Sequence, residues 1–232
     1  MFTPPPVTAT TYAFPSLEPI RFVEYPHNHL MMPLRKDLLH RAVVYEGDMT
    51  RQGTASTKWR GEVHGSNRKL YPQKGLGRAR AGNSKSPVRV GGGVAFGPHP
   101  RDFSTKLNRK IYDKAWRIAL SYRYSRGELT IVDENISFPK QATPHLVRRI
   151  METNEWHRKG SGGITLITDR EDERLFAKVR GAGQKAKILS RRDVDVKDLL
   201  ETGRLVIEKQ ALDKILATHS KDLNQTVAVA RY

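Results

Sequence analysis

Between residues 51 and 126 this chain carries 18 Lys and Arg against three Asp and Glu, a net charge of +15. The whole chain of 232 residues has a formal charge of +17, so one third of its length holds nearly all of the excess. Residues 1–50 sum to −1 and residues 127–218 to +2. A run of one sign repels itself unless something anionic neutralises it. The partner this implies is a polyanion, nucleic acid before an anionic membrane. Within the run, residues 51–90 have only Val63, Leu70, Leu76, Val88 and Val90 as Leu, Ile, Val or Phe, at a net charge of +9. Such a segment cannot offset its chain entropy by packing on itself. Ten of the 18 glycines fall in 51–100. Residues 51–100 therefore read as a long extended loop, disordered alone and ordered by its partner. Loops of that length inside a domain are usually functional.

The rest of the chain is long enough for a proper core. It has no cysteine, which excludes disulfides, Cys-ligated zinc and a cysteine nucleophile. No apolar run approaches the ~18 residues of a membrane span. The first basic residue is Arg21, so residues 1–20 are not expected to be a signal or Arg-rich transit peptide. Residues 1–33 contain seven prolines and no period, and read as an extended arm draped on a partner. Leu34, Leu38, Leu39, Ala42 and Val43 recur at helical spacing, with a stop expected at Gly47. Leu107, Ile111, Ala115, Ile118 and Tyr122 mark a second helix ending at Gly127. Its other face shows Lys106, Arg109, Lys110, Lys114, Arg117 and Arg123, which would enlarge the basic footprint. Short apolar runs at 129–132, 164–167, 186–189 and 205–207 predict strands. Helical patterns lie at 143–158, 171–180, 194–202 and 209–217, the second of them N-capped by Thr168-Asp169. Alternation of strand and helix predicts an α/β fold: a Rossmann-like three-layer domain with a mainly parallel sheet of about four strands. The expected organisation is an arm (1–33), a globular domain (34–50 with 101–218), the inserted loop (51–100) and a tail (219–232).

This fold class often hosts enzymes, but no catalytic constellation stands out. There is no GxxxxGK[ST], HExxH or GxSxG. Gly181-Ala-Gly-Gln-Lys-Ala186 fits GxGxxA by letter, yet it precedes a strand, so it reads as a helix-ending turn. His27 and His29 stand two apart without a third ligand, so no metal site is predicted. Asp133-Glu134 at a strand end reads as a pair of solvated loop residues.

The loop's own chemistry is more specific. Arg60, Arg68, Arg78, Arg80 and Arg89 supply planar forks that grip phosphate through two bonds and stack on bases. Gly61, Gly75, Gly77 and Gly82 let backbone amides approach phosphates. Trp59, Tyr71 and Phe96 offer faces for stacking. An extended Arg-Gly strand suits folded RNA better than a DNA groove, which favours a helix or ribbon.

The stretches RQGTASTK (51–58), QKGLGRARAG (73–82) and SPVRVGGGVAFGPHPRDFSTKLNRK (86–110) resemble the universal large-subunit ribosomal protein four family, of the bacterial and organellar type. The likeness continues through Phe138-Pro139-Lys140, the strand at 164–167 and LLETGRLVIEKQALDKI (199–215). The resemblance implies a structural constituent of the ribosomal large subunit and no enzyme. Its partners would be large-subunit ribosomal RNA, neighbouring ribosomal proteins and the nascent peptide, with no membrane insertion. The loop would thread RNA and line part of the nascent-peptide exit tunnel. RNA-binding residues would be Arg51, Lys58, Trp59, Arg60, Arg68, Lys69, Arg78, Arg80, Lys85, Arg89, Arg101, Lys106, Arg109 and Lys110. The tunnel tip would be Tyr71, Pro72, Gln73 and Lys74. Here Leu70-Tyr71-Pro72 stands where the family usually has Pro-Trp-Arg, while Gln73 and Lys74 match. No cofactor is implied beyond Mg2+ accompanying the RNA. The Pro-rich start and the divergent tail point to a mitochondrial ribosome in the matrix, with the bacterial cytoplasm as the other location. The competing readings are an extra-ribosomal regulatory RNA-binding protein and an RNA-processing enzyme with a Rossmann-like domain.

Overall fold

The computed structural model describes residues 4–139, 141–154, 156, 162–183 and 186–223. The N-terminal segment departs from expectation first. Val7–Tyr12 (β1) and Pro19–Tyr25 (β2) form an antiparallel pair, and β1 also pairs in parallel with a strand of the main sheet. The reading of residues 1–33 as an extended arm draped on a partner thus misses two strands. Val7, Ala9 and Thr11 alternate inward on β1, the period of a half-buried strand. The prolines hid this pattern, yet Pro19 sits at the start of an edge strand, where a missing N–H costs nothing.

His27–Leu30 (α1) and Lys36–Met49 (α2) follow. α2 runs through Gly47 rather than stopping there. Its last turn is held from outside: buried Glu46 accepts the Tyr112 hydroxyl at 2.8 Å and the backbone N–H groups of Val196 and Lys197 at 2.9 and 2.8 Å. Arg109–Ser125 (α3) ends as predicted at Gly127, in the left-handed region at φ 66°. Leu129–Val132 (β3), Pro144–Thr153 (α4), Ile164–Thr168 (β4), Glu173–Gly181 (α5), Ala186–Ser190 (β5), Val196–Glu201 (α6), Arg204–Glu208 (β6) and Lys209–Thr218 (α7) complete the order.

The sheet runs β2-β1-β3-β6-β4-β5. It has six strands where about four were expected. It is mixed, because β2 alone is antiparallel to its neighbour. The four predicted strands are all present and mutually parallel. The central strands are buried on both faces, whereas the edge strand β2 is mostly exposed. Ile131, Ile167, Leu205 and Ile207 pack with Leu39, Ala119, Leu199 and Leu212, whereas Val132, Leu166, Ile188 and Val206 pack with Val147, Met151, Leu175 and Phe176. Successive residues of β3 and β6 therefore serve opposite cores, as a period of two requires.

The cap of α5 is also corrected. Asp172, not Thr168-Asp169, accepts the N–H of Arg174 at 2.9 Å. Thr168 ends β4, and Asp169 accepts Lys214 at 2.5 Å and Arg191 at 3.1 Å. α4 is shorter than the predicted 143–158, and residues 155, 157 and 158 lie outside the described residues. So do Lys140, Gln184 and Lys185, and residues 224–232 of the predicted tail.

Candidate nucleic-acid interface

The chain divides into two compact units, residues 1–46 with 106–232, and residues 47–105. The second holds most of the predicted RNA-binding residues. From Arg51 to Asn108 there is no helix or strand. The segment nevertheless has a defined course, set by nested backbone hydrogen bonds. Arg101 N–H donates to Gly53 at 3.1 Å, Thr57 N–H to Pro98 at 3.0 Å, Val94 N–H to Lys58 at 2.9 Å and Leu70 N–H to Gly82 at 2.9 Å. Partners approach one another in number toward Leu76. The segment is a doubled-back ribbon whose apex is Gly75-Leu76-Gly77.

Two glycines show how closely the runs pass. A Cβ on Gly53, at φ 63°, would fall 1.9 Å from the Arg101 carbonyl oxygen, and one on Gly93 would fall 2.3 Å from the Arg60 nitrogen. Only a residue without a side chain fits either crossing. At Gly75, Gly77 and Gly82, by contrast, a Cβ would meet nothing within 4 Å. The glycines thus form two groups, one packed inside the ribbon and one open to a partner.

Only Lys85 and Gly93 are buried in residues 47–105. Lys85 is 8% exposed, which sets it apart from the other predicted RNA-binding cations. Arg51, Lys58, Arg60, Arg68, Lys69, Arg78, Arg80, Arg89 and Arg101 are all exposed. Among the described residues, none of the cations from Lys58 to Arg89 is in an ion pair. The acids of the unit beyond α2 are spent internally: Glu62 accepts the Trp59 N–H at 3.1 Å, and Asp102 accepts the Ser104 N–H at 2.8 Å. That bond holds the Asp102 carboxyl below its usual pKa. At the base, the Arg51 and Arg101 guanidiniums each stand 4.2 Å from the Phe103 ring centroid, a cation–π arrangement that fixes both forks.

The predicted stacking faces differ. Phe96 is fully exposed and Trp59 half exposed. Tyr71 is tied back, its hydroxyl donating to the Ala79 carbonyl. Of the four predicted tip residues, Lys74 adjoins the apex, while Tyr71 and Pro72 begin the reversal. Gln73 accepts Lys69 Nζ at 2.6 Å.

In the first unit, Lys106, Arg109 and Lys110 are exposed, with Arg109 4.0 Å from Asp113. Arg117 and Arg123 do not extend the footprint. Arg117 is fully buried and pairs with Asp222 at 2.6 Å. Arg123 is 5% exposed; it donates to Leu199 O at 2.8 Å and to the Thr202 carbonyl, and pairs with Glu128 at 2.6 Å. It therefore caps the C-terminal end of α6. Helical periodicity placed both arginines opposite the apolar stripe, but α3 is enclosed nearly all round over its second half.

Asp133 is likewise not a solvated acid. It accepts Arg21 through both oxygens, at 2.7 and 3.0 Å, while Glu134 is exposed. A crevice of about 480 Å3 lies at the C-terminal ends of β4 and β6, where α/β enzymes hold their ligands. Its acids are committed. Burial pushes the Glu208 carboxyl up, and its two oxygens accept the N–H groups of Ile136 and Asp169 at 2.8 and 2.7 Å. Asp169 is ion-paired and Asp172 is the cap of α5, so among the described residues each acid lining the crevice is engaged.

The sequence model of the Ribosomal protein L4/L1 family matches residues 23–218. The chain belongs to that family. It is 48% identical over 242 aligned residues to the large ribosomal subunit protein uL4m of Neurospora crassa, covering 96% of this chain and 74% of that one. It is 38% identical over 184 residues to the large ribosomal subunit protein uL4 of Dehalococcoides mccartyi, covering 79% and 84%. Gloeothece citriformis uL4 is 40% identical over 183 residues, covering 79% and 85%. The match to the family model begins at Val23, within β2, and ends with α7. It therefore spans both the α/β unit and the ribbon.

Proposed function

We propose that the chain is a structural, non-enzymatic constituent of the ribosomal large subunit, of the mitochondrial form, and that it binds large-subunit ribosomal RNA through the ribbon. The single observation that carries the RNA-binding role is the row of exposed cations from Lys58 to Arg80, none of them in an ion pair among the described residues. The resemblance of nearly the whole chain to uL4m supports the mitochondrial ribosome, and with it the matrix. Neighbouring ribosomal proteins and the exposed faces of the α/β unit are natural partners for each other. The ribbon's apex, with Lys74 beside it, lines the nascent-peptide exit tunnel in this reading. The open backbone at Gly75 and Gly77 supports that placement, since side chains near a tight turn can project into a narrow channel. No observation favours an extra-ribosomal regulator or an RNA-processing enzyme.

Sedimentation tests the role. The protein is expected to co-migrate with the large subunit through a high-salt wash; recovery at the top of the gradient would overturn the reading. The tip is tested by comparing subunit abundance with peptide-synthesis rate. Lys74→Glu is expected to slow synthesis more than assembly, and Arg80→Glu to do the reverse. The opposite pattern would show that apex and stem have been exchanged.

A further inference from the structure

We infer that a cavity within the ribbon seats one unstacked RNA nucleotide, its phosphate held by Arg60, Lys69 and Arg80 and its base edge read by Asn67 and Asn83. The inference rests on the RNA-binding role proposed above and adds a defined site to it. The cavity measures about 550 Å3 and no carboxylate lines it. That volume lies within the usual range for small-ligand sites. Its cations come from both runs of the ribbon, Arg60 and Lys69 from the outgoing one and Arg80 from the returning one. Backbone bonding between Leu70 and Gly82 brings the runs together beside it.

Positive charge alone would serve any phosphate. The amides narrow the choice. Each presents a donor beside an acceptor, and every RNA base carries an acceptor beside a donor on its edge, so the amides favour a phosphate that bears a base over a bare sugar-phosphate chain. Among the described residues, no protein group hydrogen-bonds the side chain of Asn67 or Asn83, and neither Arg60 nor Arg80 has an ion pair. Lys69 gives one donor to Gln73 and keeps two. The two amides and the two guanidiniums of the cavity are therefore available to a ligand.

A free mononucleotide is the weaker occupant. The lining has no aromatic ring on which a loose base could stack, so the nucleotide must be held by its own chain. The remaining cations of the ribbon supply that hold on adjacent phosphates. Lys69 also lines a second cavity with Leu70, Tyr71 and Pro72, which continues the track past the first. Paired RNA is excluded by geometry, because side chains cannot read its deep, narrow major groove and single bases are read where they are splayed out.

The test uses the full chain, a large-subunit ribosomal RNA transcript, and an abasic RNA strand of the same length, which has the phosphates and no base edges. Asn67→Leu with Asn83→Leu removes the amides without removing charge. Gly82→Leu fills the cavity from a position where a Cβ meets nothing, so the free chain accommodates it. Both variants are expected to lose about tenfold in affinity for the transcript, keep the salt slope, and bind the abasic strand as the parent does. Unchanged transcript binding by both variants would overturn the site. So would an equal loss on both RNAs, because a base-reading cavity must discriminate. If the parent chain itself binds the two RNAs alike and weakly, the RNA-binding role fails rather than the cavity alone.

Discussion

The two units of this protein treat positive charge in opposite ways. In the α/β unit a set of cations is taken up by the fold: Arg21 by Asp133, Arg117 by Asp222, Arg123 by Glu128, Lys187 by Asp198 and Glu201, Arg191 and Lys214 by Asp169. In the ribbon the cations from Lys58 to Arg89 have no such partners among the described residues. The backbone follows the same division. The sheet satisfies its N–H and C=O groups in ladders around two apolar cores, whereas the ribbon uses a few bonds and glycine crossings around almost no core. The lesson is that the first unit is specified by its own sequence, and the second carries a pattern that is completed by something else.

The largest expected effect separates the units outright. Replacing residues 51–100 by a short Gly-Ser linker should remove most of the ribosomal RNA affinity while leaving one cooperative thermal transition, because every residue of both cores lies outside the segment. Loss of cooperativity, read by circular dichroism, would show that the ribbon helps to hold the sheet. Next comes the reciprocal variant. Asp222→Ala strands the fully buried Arg117, and removing one partner of a buried pair costs about 3 kcal/mol. Denaturant titration should show that loss with the RNA salt slope unchanged.

A smaller effect is expected from single ribbon cations. Arg78→Ala should leave the unfolding midpoint in place and reduce the log–log salt slope by roughly 0.7–0.9, the contribution of one phosphate contact. A change in stability instead would mean that Arg78 serves the fold. The smallest effect belongs to His219, stacked on Trp116 with centroids 4.6 Å apart. Burial lowers its pKa from 6.5, and Arg109 and Arg117 reinforce this against the opposing pull of Asp113. The folded state thus binds its proton less readily than the unfolded one. Its contribution is present above pH 6.5 and is lost as pH falls below that value. His219→Gln should flatten that part of the stability–pH profile and leave RNA binding at neutral pH intact.

Charge distribution and period made much of this legible. The four parallel strands were visible as short apolar runs, and the ribbon as a one-signed, glycine-rich segment. The N-terminal strands were obscured because proline count outweighed the alternation of Val7, Ala9 and Thr11. Arg117 and Arg123 were misplaced because a helix wheel shows two faces, while α3 is covered on more than one side by α1 and α6. Glu128 lies close to Arg123 in sequence, but the other partners, Asp222 and the carbonyls of Leu199 and Thr202, are about 80–105 residues away, beyond any local pattern. The cap at Asp172 differs from the expected one by a few residues, since a strand end and a helix start compete for the same polar residues. In the ribbon, residue types were readable, but the sorting of glycines into packed and open groups was not. That sorting depends on which runs cross, and no local periodicity encodes it.

The pairing of Arg117 with Asp222 has a consequence for the order of synthesis. The α/β unit takes a strand from residues 7–12 and a buried counter-ion from residue 222, so it cannot close until nearly all of its described chain has been made. The ribbon is complete by Thr105. About 120 residues separate these events, which at usual elongation rates is on the order of ten seconds. During that interval a newborn chain displays most of its positive charge before it has a finished domain to carry it. Any RNA within reach is then a competitor, and the moment of greatest vulnerability falls before the protein is whole.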